Sequence, residues 1–391
     1  MILHDCRWIV LWLLLVIQCN PDQFFPAKCP DYSFSRPVPA VFPDNCINTV
    51  KIQLGRFLFY EKKLSKNQTQ SCSSCHVQKN GFAENRSRAI GSTAMVHPRN
   101  TPGLANVAYF KALTWNNPGL NRLQNQAINP LLSMDGKESI VELGVARMED
   151  VVAQRLFDDN KYPPLFKQAF GSEEINIPKI TKALEAFQLT LHSFQSPYDR
   201  GVMSQAAKRG ETVFWDKKCD RCHSGINFNQ PLEYKSIYDL YRNIGLYNIN
   251  GKGDYPDYNL HGKPAQKMTQ GLYATTKNPE DRGKFRIPSL RNLRYTAPYM
   301  HDGSMKTLEE VIEHFSQGGR NITSGTFRGD GRNSSVKDPA IIPIKLTSPE
   351  KTDLLAFLLS LSDECFITNP EYSDPLKEAP VQETYCKTEQ L

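Results

Sequence analysis

Two short segments of the chain repeat the same arrangement of cysteine and histidine. Residues Cys72–His76 and Cys219–His223 both read Cys-x-x-Cys-His. In this spacing two thiols can add to the vinyl groups of one haem, while the imidazole beside them binds its iron. The sequence therefore predicts two covalently attached c-type haems. The residues that would attach them are Cys72, Cys75, His76, Cys219, Cys222 and His223.

Two other chemistries also use paired cysteines. A redox-active Cys-x-x-Cys pair would leave the histidine after each pair unexplained. A zinc site built from all four cysteines would make both histidines redundant. Haem is therefore the favoured reading, with zinc as the alternative.

The ligand on the second face of each iron decides what that haem does. An iron closed on both faces transfers electrons, whereas an open face can bind a substrate. Further segments bear on this question, because they resemble bacterial di-haem cytochrome c peroxidases, within the wider family that includes the methylamine-utilisation enzyme MauG. The matching segments are Gly55–Phe59, Arg99–Pro102, Val141–Gly144, Ser196–Arg200, Phe285–Asn292 and Thr296–Gly303.

The resemblance implies that the N-terminal haem reacts with peroxide and that the C-terminal haem supplies electrons. It makes His76 and His223 the proximal ligands and places Gln126 and Glu142 over the peroxide. Glu142 would then move a proton between the two peroxide oxygens as a general acid–base. The competing interpretation makes Glu142 an ordinary carboxylate at a helix start, which the helix dipole favours.

The spacing between Gln126 and Glu142 is longer than in that family. Residues Leu131–Ser139 therefore contain an insertion, and Asp135 and Glu138 become alternatives to Glu142.

The same resemblance assigns roles near the second haem. Trp115 would assist electron transfer between the haems, although a tryptophan of the core is the simpler reading. His301 would lie beside a propionate of the C-terminal haem. Asn100 and the carbonyls of Thr296 and Pro298 would bind Ca²⁺, which prefers such oxygen ligands. An ordinary turn asparagine is the alternative for Asn100.

Two positions depart from the family pattern. Ser92 stands where many members have a histidine that closes the peroxidatic haem, so we predict an iron that is open in the resting oxidised protein. His97 and Met95 lie in the same loop and are alternative ligands. Phe315 occupies the place of the methionine or tyrosine that binds the second iron. Either the neighbouring His314 replaces it or that iron is five-coordinate.

The elements that position these residues are helical. Predicted helices cover Ile47–Leu58, Val141–Phe157, Ile177–Leu191, Ser204–Trp215, Thr307–Phe315 and Ser348–Leu361, and no strand alternation is evident. Ser348 is the expected cap of the last helix. The fold class is mainly α, with two c-type cytochrome-like haem domains and long loops. We predict a peroxidatic domain over 20–198 and an electron-transfer domain with a tail over 199–391.

The first 19 residues resemble an export signal. The apolar run Trp8–Ile17 is too short to span a bilayer and fits a signal core. Cys19 resembles a lipidated lipoprotein cysteine, which predicts a periplasmic protein with a lipid anchor, and simple cleavage is the alternative. In an oxidising compartment the remaining cysteines fit two disulfides, Cys29–Cys46 and Cys365–Cys386.

Composition narrows the partners. The 391 residues carry a net charge of +6 without a clustered basic stripe, so no nucleic-acid partner is expected. The resemblance implies hydrogen peroxide as substrate, a small cytochrome c or cupredoxin as electron donor, and a homodimer. MauG-like oxidation of a partner protein and a non-enzymatic electron-transfer cytochrome are the alternatives.

Overall fold

The computed structural model describes residues 44–133, 142–256 and 269–377, together with four two- or three-residue strands outside these ranges. Its helices are α1 (Thr49–Tyr60), α2 (Cys72–Cys75), α3 (Leu123–Leu131), α4 (Glu149–Phe157), α5 (Tyr162–Phe170), α6 (Ile177–Gln188), α7 (Gln205–Asp216), α8 (Tyr273–Thr276), α9 (Leu308–Ser316), α10 (Ser348–Ser360) and α11 (Glu364–Thr368). The predicted mainly helical class is confirmed. No helix within the described ranges has the length and apolarity needed to cross a membrane.

Strands are short and form four separate antiparallel pairs. These pairs are β1 (Ile9–Leu11) with β2 (Leu14–Val16), β3 (Tyr241–Arg242) with β6 (Phe285–Arg286), β4 (Asn259–Leu260) with β5 (Lys263–Pro264), and β7 (Asn321–Ile322) with β8 (Gly329–Asp330). The β3–β6 pair pins the second haem motif's long connection to the segment that begins with Phe285. Most of the described residues in 226–284 are irregular, in agreement with the long loops predicted from the sequence.

One helix crossing occurs twice in the molecule. Helix α1 packs on α6, and a Cβ on Gly55 would lie 1.9 Å from the carbonyl oxygen of Ala183. Helix α7 packs on α10, and a Cβ on Gly210 would lie 1.8 Å from the carbonyl oxygen of Asp353. Only glycine permits such close backbone approach. Each crossing therefore holds in place the long helix that precedes one of the Cys-x-x-Cys-His motifs in the chain.

The start of α4 and the capping residue of α10 differ from the prediction. Helix α4 begins at Glu149 rather than Val141, because Gly144 and Arg147 adopt left-handed backbone angles, with φ of 72° and 65°. Helix α10 is capped by Thr347 rather than Ser348, since the Thr347 side chain accepts a hydrogen bond from the Glu350 amide. Helices α3 and α5 were not predicted.

The C-terminal segment returns to the N-terminal core. Phe366 and Tyr372 are buried in the same apolar cluster as α1 and α6. Cys46 and Cys365 each take part in a disulfide. Their predicted partners, Cys29 and Cys386, lie outside the described residues, so that pairing stays a prediction, as does the domain boundary at 198.

Candidate functional site

Both Cys-x-x-Cys-His motifs fold into a single tight turn. The His76 amide donates to the Cys72 carbonyl across 2.9 Å, and the His223 amide donates to the Cys219 carbonyl across 2.9 Å. The first motif lies in α2, and the second begins with a 3₁₀ turn. This turn brings two thiols and one imidazole to the same region, as covalent attachment of a haem requires.

The two histidines are oriented in the same way. His76 Nδ1 lies 2.8 Å from the Phe82 carbonyl oxygen, and His223 Nδ1 lies 2.7 Å from that of Phe228. A carbonyl only accepts, so Nδ1 carries the proton and Nε2 is left to bind a metal. Burial lowers the pKa of both imidazoles, which favours the neutral form that iron requires.

The thiols do not fit the two alternative chemistries. Burial raises the pKa of Cys72, Cys75 and Cys219 to about 12, and it also raises the pKa of Cys222. A redox-active pair needs a lowered thiol pKa. All four cysteines lie in the described ranges, and those ranges contain no cluster of three or more histidine, cysteine or acidic side chains that could hold a metal ion. The zinc reading is therefore excluded.

A large cavity of about 280 Å³ opens beside the second motif. Its wall includes Cys219, Cys222 and His223 and is mostly apolar. Arg286 is a buried cation in this wall, and it has no carboxylate partner among the described residues. Its Nε has no hydrogen bond there, and burial lowers the pKa of its guanidinium to about 10. An unpaired buried cation is costly. A haem propionate would neutralise it, so the residues present fit a haem here.

His301 and Trp115 line the same cavity. The imidazole of His301 stacks on Phe285 with ring centroids 3.5 Å apart, and burial lowers its pKa to about 4. The indole of Trp115 donates to the backbone carbonyl of Asn100 across 2.8 Å. The backbone amide of Asn100 donates to the His301 carbonyl across 2.7 Å. Trp115 is thus a buried side chain and also part of the cavity wall, which accommodates both of its predicted roles.

The three predicted calcium ligands, Asn100, Thr296 and Pro298, belong to the lining of the same cavity. The side-chain nitrogen of Asn100, Nδ2, donates to the backbone carbonyls of Arg86 and Ser87 across 2.9 and 3.3 Å. Its Oδ1 atom is therefore the one oriented away from those carbonyls and suited to a cation.

The backbone of Glu142 is fixed to the end of α3. Its amide donates to the Ser133 hydroxyl across 3.0 Å, and the Leu143 amide donates to the Pro130 carbonyl across 2.9 Å. The described residues that flank 134–141, Ser133 and Glu142, are therefore held together. Because α4 begins seven residues later, the reading of Glu142 as a helix-start carboxylate is wrong. Asp135 and Glu138 lie outside the described residues.

The side chain of Glu142 pairs with His97. Their Oε1 and Nε2 atoms are 3.3 Å apart, and His97 Nδ1 accepts from the Arg99 amide across 3.1 Å. Burial alone would raise the pKa of Glu142, but the hydrogen bond from His97 and the charge of Arg99 lower it overall. The carboxylate interacts electrostatically with Cys72, Cys75 and His76. Its segment is also tied to Asn67, just before the first haem motif, because Ser92 donates to the Glu142 carbonyl and accepts from the Asn67 side chain.

Sequence reasoning missed this role of His97. The sequence offered His97 only as an iron ligand, since nothing local signals a partner 45 residues away. Arg99 is the second residue missed. It interacts electrostatically with Glu142 and with His301, and burial lowers its pKa to about 10.

Ser92 supports the Glu142 segment. Its amide donates to the Glu142 carbonyl across 2.7 Å, and its hydroxyl donates to the Leu143 carbonyl across 3.2 Å. A hydroxyl engaged in this way is unsuited to bind iron, in keeping with the predicted open haem. Gln126 is half-buried in α3, one turn before Pro130, and its carboxamide has no hydrogen-bond partner among the described residues.

At the second haem, Phe315 and His314 face different surroundings. Phe315 lines the cavity, whereas His314 does not. His314 Nε2 lies 3.0 Å from the Ile244 carbonyl, to which it donates. The structure therefore does not bring His314 to the place predicted for a substitute ligand.

Comparison with known proteins settles the family. The family model for di-haem cytochrome c peroxidases matches residues 49–207. The methylamine utilization protein MauG of Methylorubrum extorquens is 32% identical over 348 residues, covering 86% of each protein. Cytochrome-c peroxidase IdrP1 of a Pseudomonas strain is 34% identical over 351 residues, covering 83% of this chain and 84% of the relative. The chain belongs to the di-haem cytochrome c peroxidase family.

A solved structure supports the same assignment. A MauG-like protein associated with microbial copper homeostasis is 41% identical, with a TM-score of 0.80 over 90% of this chain and 100% of that one. The predicted family and fold are confirmed, and membership of a di-haem family implies the two haem c groups that the sequence predicts. Its relatives are cytochrome-c peroxidases, so the chain is an oxidoreductase that acts on peroxide. The non-enzymatic reading is thereby set aside.

Proposed function

We propose that this enzyme reduces hydrogen peroxide to water at the haem on Cys72 and Cys75, with electrons that enter through the haem on Cys219 and Cys222. The observation that carries the proposal is the carboxylate of Glu142, which His97 holds deprotonated near His76. The overall reaction consumes one peroxide, two electrons and two protons and yields two waters. When bound, the haems supply the iron that binds peroxide and the redox capacity for two electrons.

The protein supplies the proton chemistry. Glu142 would accept a proton from one peroxide oxygen and return it to the other, which leaves as water. The Nε2–H of His97 donates to the carboxylate and fixes its direction. The carboxamide of Gln126, which has no described protein partner, is available to hold the peroxide or a water in place.

Trp115 is the residue we assign to electron transfer between the haems. It lines the second cavity and hydrogen-bonds to Asn100, the neighbour of Arg99. Arg99 in turn interacts with Glu142 on the side of the first haem. The indole of Trp115, the backbone of Asn100 and the charge of Arg99 therefore link the two sites.

The electron donor is proposed to be a small cytochrome c or cupredoxin with an acidic face. Lys218 and Arg221 are exposed and line the cavity beside the second haem motif, so they mark where it opens to solvent. Trp215 is 38% exposed beside them. A basic rim around an exposed aromatic suits an acidic partner, because complementary charges accelerate encounter.

Turnover stoichiometry tests the proposed function. The enzyme with a reduced small cytochrome c should oxidise two equivalents of cytochrome for each peroxide consumed. Peroxide consumption without cytochrome oxidation would contradict it. That outcome would favour the second candidate, oxidation of a partner protein, which the similarity to MauG supports.

Calcium and export complete the proposal. We assign one Ca²⁺ to Asn100 Oδ1 and the carbonyls of Thr296 and Pro298. Metal analysis should then find one calcium per chain, and Asn100→Ala should lose it.

The leading 19 residues support export to the periplasm, with a lipid anchor at Cys19 and a homodimeric assembly as further expectations. Cell fractionation and mass measurement of the exported protein test these points.

A further inference from the structure

The cavity of the second haem has one wall that cannot bind iron. Helix α9 presents Leu308, Val311, Ile312 and Phe315 to it, at the i, i+3, i+4 and i+7 positions that share one helix face. The chain that follows continues this wall with further hydrocarbon side chains. These are Ile341, Ile342, Ile344, Leu346, Leu354 and Leu358.

The tyrosines of the cavity are already engaged. Tyr255 donates its hydroxyl to Asn243 Oδ1 across 3.0 Å, and Tyr299 donates to the Leu293 carbonyl across 2.7 Å. Binding iron would require each hydroxyl to give up its partner and to lose its proton. Neither phenol is arranged as a ligand.

The histidines near the cavity are engaged as well. His301 lies flat against Phe285, with an angle of 11° between the rings. His314 lies outside the cavity lining and donates to Ile244. Among the histidines that line the cavity, His223 is the one whose Nδ1 donates to a backbone carbonyl, that of Phe228, which leaves Nε2 as the atom that can bind iron.

Met300 is the methionine that lines this cavity, and iron accepts a thioether. It packs against the apolar cluster that contains Trp115, Leu246 and Tyr247, as does Val311 of α9. Its thioether is therefore held in a packed cluster, and it serves below as the rival to be tested.

We propose that the iron of the haem on Cys219 and Cys222 has no sixth ligand from the protein and forms a second binding site for small neutral ligands such as carbon monoxide or nitric oxide. The side chains that α9 and the chain after it present offer no hydrogen-bond donor and no proton donor, so they favour neutral diatomic ligands over anions. The described lining of this cavity contains no carboxylate that could act as Glu142 does, so peroxide cleavage stays with the first haem. The inference rests on haem attachment and not on peroxide reduction.

Carbon monoxide titration of the fully reduced holoenzyme tests the proposal. The wild type should bind two molecules per chain, and Phe315→Met, which supplies a thioether, should bind one fewer than the wild type. Phe315→Leu is the matched control and should bind as the wild type does. A wild-type count of zero, or a count of one that stays at one in Phe315→Met, would overturn the proposal.

Electron paramagnetic resonance of the oxidised holoenzyme separates the proposal from ligation by Met300. We expect high-spin ferric signals from the second haem in both the wild type and Met300→Leu. A low-spin ferric signal from the second haem that disappears in Met300→Leu would identify Met300 as the ligand and overturn the proposal. Both measurements are independent of peroxidase turnover, so failure of one proposal is distinguishable from failure of the other.

Discussion

Replacing His97 by alanine is the most informative perturbation of the peroxidatic site. The substitution removes the 3.3 Å contact from His97 Nε2 to Glu142 and leaves the backbone of Glu142 fixed by Ser133. A hydrogen bond to a charged group contributes roughly 1.5–3 kcal/mol. Because 3.3 Å is long for such a bond, we take the lower limit, which corresponds to a loss of about tenfold in kcat/KM.

The same substitution should change the pH dependence. His97 helps to lower the pKa of Glu142, so activity that needs the carboxylate is present above that pKa and is lost as the pH falls through it. Without His97 the pKa rises, and the acid limb of the kcat/KM profile moves to higher pH. His97→Gln retains an N–H donor and should recover part of both effects. An unchanged rate and an unchanged acid limb in His97→Ala would refute the role assigned to His97.

Three further predictions address the second haem and the fold. Gly210→Ala should lower the free energy of unfolding by about 1–3 kcal/mol in denaturant titrations, because its Cβ would overlap the Asp353 carbonyl; full stability would contradict the close crossing. Arg286→Gln should lower the reduction potential of the second haem, because the lost cation stabilises the reduced iron. An unchanged potential in spectroelectrochemistry would place this haem away from Arg286. The double variant Lys218→Glu, Arg221→Glu should raise the KM for an acidic donor at low salt and leave the KM for peroxide unchanged; equal KM values for the donor would locate docking elsewhere.

Attachment chemistry was readable from the sequence because it depends on local spacing. The Cys-x-x-Cys-His motifs need only one turn of chain, and each helix before them carries a recognisable apolar pattern. The glycines at positions 55 and 210 gave no such signal, since the carbonyls that they approach lie more than 100 residues away. Close helix crossings of this kind are visible only in the folded chain.

The environment of Glu142 shows where sequence reasoning ends. The spacing of apolar residues predicts a helix from Val141 onward. The left-handed backbone of Gly144 and Arg147 is incompatible with a helix there. The roles of His97 and Ser92 depend on contacts across 45 to 51 residues, which no local pattern encodes. The orientation of His314 is likewise a tertiary property, because adjacent helix positions face directions about 100° apart.

The central claim is that the Glu142 carboxylate drives the reaction of peroxide at the first haem. Stopped-flow mixing of the oxidised enzyme with hydrogen peroxide measures this step directly, with Glu149→Gln as the matched control in the first turn of α4. Loss of a general acid–base group costs roughly 10²- to 10⁴-fold, so Glu142→Gln should slow the second-order reaction by that factor while Glu149→Gln reacts as the wild type does. A Glu142→Gln enzyme that reacts with peroxide at the wild-type rate would contradict the claim.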